Sequence, residues 1–189
     1  RGPNVMNMHA QAKMSFEEFG RWAEGQQRRF ELVRGEVRML PYVKFAHTQL
    51  SAVVNALLFQ QVDRKKFRMA NSDFAIQTGP HSARFADVAI VPASTAPTAG
   101  FTSEPVVVIE ILSRSTMHVD FGEKRLEYQA LPSLQAYLIL AQDEPSAWLW
   151  QRGDDGNWPA DPQQLEGRDG EIRLAAVSAS LPMAELYAD

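Results

Sequence analysis

The chain has 189 residues, 45% of them apolar and 22% charged, and it contains no cysteine. That length suits one domain able to bury its own core, and the missing cysteine excludes disulfides, thiolate zinc sites and a cysteine nucleophile. Nineteen Lys/Arg against 23 Asp/Glu leave a net charge of −4, which argues against constitutive, tight nucleic-acid binding through phosphate neutralisation.

The opening, Arg1-Gly2-Pro3-Asn4-Val5, has no apolar signal-like stretch. A cytoplasmic location is therefore expected. Arg1-Gly2-Pro3 reads as a tag remnant, and residues 1–13 as a tail. Ser15-Phe16-Glu17-Glu18 forms a capping box. It starts a helix with Phe16, Phe19 and Trp22 at helical spacing and Gly25 at its end. Arg29 to Leu40 alternates and breaks at Arg34-Gly35, which predicts two strands joined by a tight turn. Residues 46–62 carry Leu50, Val53, Val54, Leu57, Leu58 and Val62 at spacings of three and four, a helix with one buried face. The basic cluster Arg64-Lys65-Lys66-Phe67-Arg68 follows and reads as the solvated end of that helix. It belongs to a first third, residues 1–68, with a net charge of +6, against −10 for residues 69–189.

Phe67 to Ile76 reads as an irregular strand stopped by Gly79-Pro80, and Ala83 to Val91 as a strand. Residues 92–104 form a loop rich in Pro, Ser and Thr. Pro105 to Leu112 is apolar on both faces and belongs at the centre of a sheet. Asp120 to Leu131 is a predicted helix closed by Pro132. Leu134 to Leu140 and Ala147 to Gln151 are strands, hairpin-linked through Glu144-Pro145-Ser146. Weak strands lie near 163–166 and 171–174, and residues 182–187 make a final helical turn. This order predicts an α/β (α+β) domain built on a mixed sheet with a few helices. Residues 14–152 form its body, and the acidic extension 153–189 packs on the same domain. No run approaches 18 apolar residues, so no membrane span is predicted.

Two carboxylates stand out, because strand interiors disfavour charge. Glu110 ends an apolar run, and Asp87 lies inside the Ala83–Val91 strand. Taken singly, each fits an exposed edge or a structural ion pair. On neighbouring strands they repel each other unless a proton or a cation sits between them. Mg²⁺ (or Mn²⁺) suits such a place: Mg²⁺ takes one or two carboxylates, keeps waters and accepts phosphate oxygens. Asp120, Lys124 and Tyr128 lie four apart and share one helix face. They make either an ordinary ion pair beside an amphipathic Tyr, or a face returning over the strand ends. In the second case Lys124 orients a metal-bound water or stabilises charge on a phosphorane-like transition state. His47 reads as an exposed or capping residue. His9, His47, His81 and His118 have no spacing suited to zinc. No Gly-rich phosphate loop, nucleophile elbow or dinucleotide fingerprint appears.

Several stretches in order carry a resemblance: Phe30-Glu31-Leu32-Val33-Arg34-Gly35-Glu36 followed by His47, then Arg84 to Val91, Val107 to Thr116, Asp120, Lys124 and Tyr128, and Leu131 to Leu140. Together, over residues 14–152, they resemble a large bacterial family of uncharacterised proteins named "putative restriction endonucleases", within the PD-(D/E)XK nuclease superfamily. The resemblance implies a restriction endonuclease-like fold, a central mixed β-sheet flanked by helices with the site at the splayed strand ends. It also implies a Mg²⁺-dependent nuclease acting on nucleic acid, DNA in the first instance. Asp87 and Glu110, with the Ile111 carbonyl, are then the metal ligands. Lys124 is the catalytic lysine displaced onto the following helix, Glu31 an added acidic residue, and Tyr128 a supporting polar group. The chain departs from the family pattern in three places. Ala86 stands where a proline is usual, Leu112 where the strand lysine is expected, and Arg114 where a proline commonly follows Ser113. Arg114 offers a phosphate contact instead.

Two other readings remain at this stage. One is a catalytically silent scaffold that uses the same fold for self-association. The other is a metal-free hydrolase with Asp87 and Glu110 as an acid/base pair. The Trp148-Leu149-Trp150 strand, if it lies at a sheet edge, predicts a homodimer.

Overall fold

The computed structural model describes residues 13–113 and 120–188. Local chemistry sets the first elements. Ser15 Oγ accepts the Glu18 N–H at 3.2 Å, and Glu18 Oε2 accepts the Ser15 N–H at 2.7 Å, closing the capping box of α1 (Phe16–Ala23). Strands β1 (Phe30–Val33) and β2 (Glu36–Met39) turn through Arg34 and Gly35, with φ of 51° and 86°. Two left-handed residues are what a two-residue type I′ hairpin requires. A side chain at Gly35 would also collide with Lys13. Helix α2 (Phe45–Gln61) follows. The basic cluster after it forms an exposed turn leading into β3, not a helix end.

Strands β3 (Phe67–Asn71), β4 (Ala75–Gly79), β5 (Ser82–Arg84), β6 (Val88–Pro92), β7 (Phe101–Thr102) and β8 (Val107–Leu112) come next. A π-helical turn, Asp120–Lys124, runs into α3 (Arg125–Gln129). Strands β9 (Ala136–Ala141), β10 (Ser146–Gln151), β11 (Gln163–Glu166), β12 (Glu171–Leu174) and β13 (Ala179–Pro182) precede α4 (Met183–Leu186). The central sheet has six strands in the order β11-β10-β9-β8-β6-β3, with β8 and β9 parallel and the other pairs antiparallel. A second sheet has the order β2-β1-β5-β4-β7, and β12 pairs with β13. The architecture is α+β: mixed sheets with few helices.

Alternation along the central strands divides the core into two layers. Val88, Ile90, Val107, Ile109, Ile111, Leu138 and Leu140 face α2, whose Leu50, Val54 and Leu58 pack on them. Ala89, Val108, Leu112, Tyr137, Ile139 and Trp150 face the other way, toward Tyr128 of α3. The acidic extension completes the first layer. Ile172, Leu174, Leu181, Met183 and Leu186 join the α2 side of the core, and Gln61 exchanges hydrogen bonds with the Ser180 backbone at 2.8 and 2.9 Å.

Three further expectations are corrected. Phe67–Ile76 is two strands in different sheets, because Asn71 Oδ1 accepts the Asp73 N–H at 3.1 Å and turns the chain. Ala83–Val91 is likewise β5 in one sheet and β6 in the other, and Asp87 lies at the crossing rather than inside a strand. The Trp148-Leu149-Trp150 strand is not an edge: β10 pairs with β9 on one side and with β11 on the other. Its aromatics are core, with Trp150 buried and Trp148 edge-on to Phe121 at 5.0 Å. The argument for a dimer through that strand falls with it. Among the described residues, no helix is long and apolar enough to cross a membrane.

Candidate active site

Strands β6 and β8 run antiparallel with Val88 across from Ile109. One further step of that register sets Asp87 against Glu110, at the end where the chain leaves the central sheet. Asp87 stands in for a ladder acceptor there: its Oδ2 accepts the Ile111 N–H at 2.7 Å. Its Oδ1 lies 3.0 Å from His47 Nε2, on the first turn of α2. His47 is therefore buried rather than exposed, and its Nδ1 has no hydrogen-bond partner among the described residues.

Glu110 is 2% exposed. The alternation of β8 places it on the face of Val108 and Leu112, beneath α3. Tyr128 Oη donates to Glu110 Oε1 at 3.2 Å, and Lys124 Nζ stands 3.4 Å from the same oxygen. Burial, reinforced by the charges of Glu110 and Glu31, holds the Tyr128 hydroxyl well above its usual range. It stays protonated and serves as a donor. Lys124 also lies 3.9 Å from Glu31 Oε1. The π-helical turn ending at Lys124 fits this reach, since such bulges are common at functional sites.

Behind these groups sits Arg84, 1% exposed. Its Nε and Nη2 donate to the two Glu127 oxygens at 2.8 Å each, and its Nη1 to Glu31 Oε2 at 3.0 Å. Burial alone would lower its pKa. The hydrogen bonds and charges of Glu127 and Glu31 outweigh that and raise it, so the guanidinium is a fixed charge. Glu31 Oε1 accepts the Phe85 N–H at 3.3 Å. Glu31, Glu127 and Glu123 are thus neutralised around Arg84, Glu110 pairs with Lys124, and Asp87 is held by the Ile111 N–H and His47.

Asp87, Glu110, Ile111 and Lys124 line one cleft of about 290 Å³, with His47, Arg29 and Lys44 at its walls. Hard oxygen donors, the Asp87 and Glu110 carboxylates with the Ile111 carbonyl, fit a hard divalent cation. Among the described residues, no three His, Asp or Glu side chains form a closed metal cage. Two carboxylates and a carbonyl would leave positions for water and phosphate, which is how Mg²⁺ is usually held.

The structure brings together Asp87, Glu110, Ile111 and Lys124, and sets Glu31 and Tyr128 beside them. Asp120 opens the π-helical turn. Arg114, His9 and His118 lie outside the described residues. Sequence reasoning passed over Arg84 and Glu127 and undervalued His47. The available signals were a lone arginine three residues before Asp87, and Glu123 and Glu127 four apart on the helix that carries Lys124.

A family profile described as "Putative restriction endonuclease" (Uma2) matches residues 16–184. The "Uncharacterized protein slr1290" of Synechocystis sp. is 30% identical over 178 residues, covering 93% of this chain and 92% of that protein. The "Uncharacterized protein sll1609" of the same organism is 24% identical over 149 residues, covering 77% and 83%. The crystal structure of "a putative nuclease belonging to DUF820" from Anabaena variabilis superposes with a TM-score of 0.72 over 92% of this chain and 97% of that one, at 15% identity, which is a likeness of fold. The family match runs from the first residue of α1 into α4, so the likeness embraces both sheets, the crossing at Asp87 and the lysine-bearing turn, and the chain belongs to the Uma2 family of "Putative restriction endonuclease" proteins.

Proposed function

We propose that this chain is a Mg²⁺-dependent (or Mn²⁺-dependent) endonuclease that hydrolyses phosphodiester bonds of DNA at the Asp87–Glu110–Lys124 cleft. The observation that carries the reading is Lys124 Nζ at 3.4 Å from buried Glu110, in a cleft that Asp87 also lines. Asp87, Glu110 and the Ile111 carbonyl would hold the ion. When bound, such an ion acidifies a coordinated water and neutralises phosphate charge. Lys124 would bring its charge to the attacking water and the negative charge that develops on the phosphate. Tyr128 fixes Glu110 by donating to it, and Arg84 anchors Glu31 and the helix through Glu127. Leu112, where a strand lysine was expected, is 3% exposed within the apolar layer around Tyr128. Lys124 approaches the same carboxylate from the helix side instead.

The test is cleavage of supercoiled, linear and single-stranded DNA in Mg²⁺ or Mn²⁺ by the wild type, Asp87→Asn, Glu110→Gln and Lys124→Ala. Loss of Lys124, which would orient the attacking water, is expected to slow cleavage by roughly 10²–10⁴-fold, and loss of either ion-holding carboxylate to abolish metal-dependent cleavage. Folded variants that cleave as fast as the wild type would overturn the assignment. A silent scaffold would show neither cleavage nor an Mg²⁺-dependent rise in melting temperature, and a metal-free hydrolase would keep its activity in EDTA.

A further inference from the structure

Among the described residues, seven large apolar side chains are exposed, and four of them, Met39, Tyr42, Val43 and Phe45, fall within one seven-residue stretch joining β2 to α2. Tyr42 is 83% exposed and Phe45 80%. Folding alone does not account for such a concentration, which marks a contact surface. Its place is specific. Tyr42 lines the catalytic cleft, and Phe45 lines an adjoining depression of about 310 Å³ that shares Gln142 with it. Cations are interleaved with the rings: Arg28 lies over one face of Tyr42 at 4.3 Å from the ring centroid, and Lys44 lines the cleft between the two aromatics in sequence.

We infer that this segment is a stacking platform for unpaired bases, so that the substrate class is single-stranded DNA, with successive bases on Tyr42 and Phe45 and the backbone led past Lys44 to the cleft. The inference rests on the nuclease reading and names its substrate. Aromatic faces alternating with cations match a single strand, whose bases offer π-faces and whose phosphates offer charge. A duplex hides those faces in its stacked base pairs, so the exposed rings would find nothing to stack on.

The test is fluorescence anisotropy of a labelled 20-mer of thymidylate and of a duplex of equal length, in EDTA so that no cleavage occurs. The wild type is expected to bind the single strand at least tenfold more tightly. Tyr42→Ala and Phe45→Ala should each weaken that binding roughly fivefold to a hundredfold, the range of one lost base–aromatic stack. Tyr42→Trp, which keeps a ring, should restore it. Both positions are exposed, so melting temperatures should not move. Equal affinity for the two forms, or alanine variants that bind like the wild type, overturns the inference. So does loss of self-association, in place of DNA binding, in the alanine variants. Because binding is read without turnover, failure of the nuclease reading would appear separately, as absent cleavage beside intact ring-dependent binding.

Discussion

Arg84→Met tests the frame on which the site depends. The substitution keeps the length of the side chain and removes its charge, leaving Glu31 and Glu127 without their main partner. Those two carboxylates are only 5% and 14% exposed, and three hydrogen bonds of 2.8 to 3.0 Å disappear. Breaking a buried ion pair from one side costs about 3–5 kcal/mol. Partial compensation remains, because Glu127 keeps Thr78 Oγ1 at 3.1 Å and Glu31 keeps the Phe85 N–H. The lower half of that range, about 3–4 kcal/mol, is therefore expected. At about 2.5 °C per kcal/mol for a domain of this size, the melting temperature should fall by about 8–10 °C. Circular dichroism against temperature and urea measures it. Adding Glu127→Leu to Arg84→Met removes one stranded charge and should recover part of the loss, since a buried pair replaced whole is far cheaper than a broken one. A single variant within about 1 kcal/mol of the wild type would refute the reasoning, as would a double variant less stable than the single one.

Three further outcomes follow from the same geometry. Burial works to raise the Glu123 carboxyl, but Arg84 and Arg38 outweigh it and hold it below its ordinary 4.5. The stability it contributes is complete above pH 4.5 and is lost as pH falls through the lowered value, so Glu123→Gln should flatten the acid limb of a melting-temperature profile. Burial, reinforced by Glu110 and Glu31, raises the Tyr128 hydroxyl above its ordinary 10.0, and burial, partly offset by the hydrogen bond to the Ser146 carbonyl, raises that of Tyr187. The stability they contribute is complete below pH 10 and is lost as pH rises beyond it, so both should ionise only on unfolding in an ultraviolet titration, and Tyr128→Phe with Tyr187→Phe should blunt alkaline unfolding. His47→Ala should raise the Mg²⁺ concentration needed for half-maximal cleavage by about 10–100-fold, the usual effect of losing a group that orients a metal ligand. His47→Gln, which can still donate to Asp87, should recover most of it. Unchanged Mg²⁺ dependence in His47→Ala would exclude the orienting role.

The parts of the fold legible in the sequence are those whose cause is local or periodic. The capping box of α1 and the Arg34-Gly35 turn are written in adjacent residues. The central pair, β8 and β9, shows as two apolar runs because burial on both faces removes alternation. Residues 163–166 and 171–174, weak as they look, are strands at those positions. What escaped is where the chain changes sheets. Ala83–Val91 contains neither Gly nor Pro, and its break is made by Asp87 capping the Ile111 N–H across 24 residues, an event that leaves no local mark. The Phe67–Ile76 break did leave one, since Asn71, Ser72 and Asp73 are turn formers. Trp148–Trp150 looked like an edge because the strand that covers it, Gln163–Glu166, is polar and arrives after a long connection.

Within the site, legibility follows burial cost. A carboxylate in an apolar run needs an explanation, so Asp87 and Glu110 could be singled out from the chain alone, and helical spacing then bound Lys124 to Tyr128. Arg84 raised no such alarm, because an arginine in a short strand is read as snorkelling to water. The clue lay with its partners. Glu123 and Glu127 stand four apart, where like charges destabilise a helix, and they flank Lys124. Such a pair must either face solvent or find a cation from elsewhere in the chain. Glu31, itself in an apolar strand, makes the same demand. Three acids without a local partner and one arginine between two apolar strands are complementary, and Arg84 satisfies all three at 2.8 to 3.4 Å. Lys124, 3.4 Å from Glu110 and 3.9 Å from Glu31, thus joins one of the two carboxylates proposed to hold an ion to acids that Arg84 already neutralises.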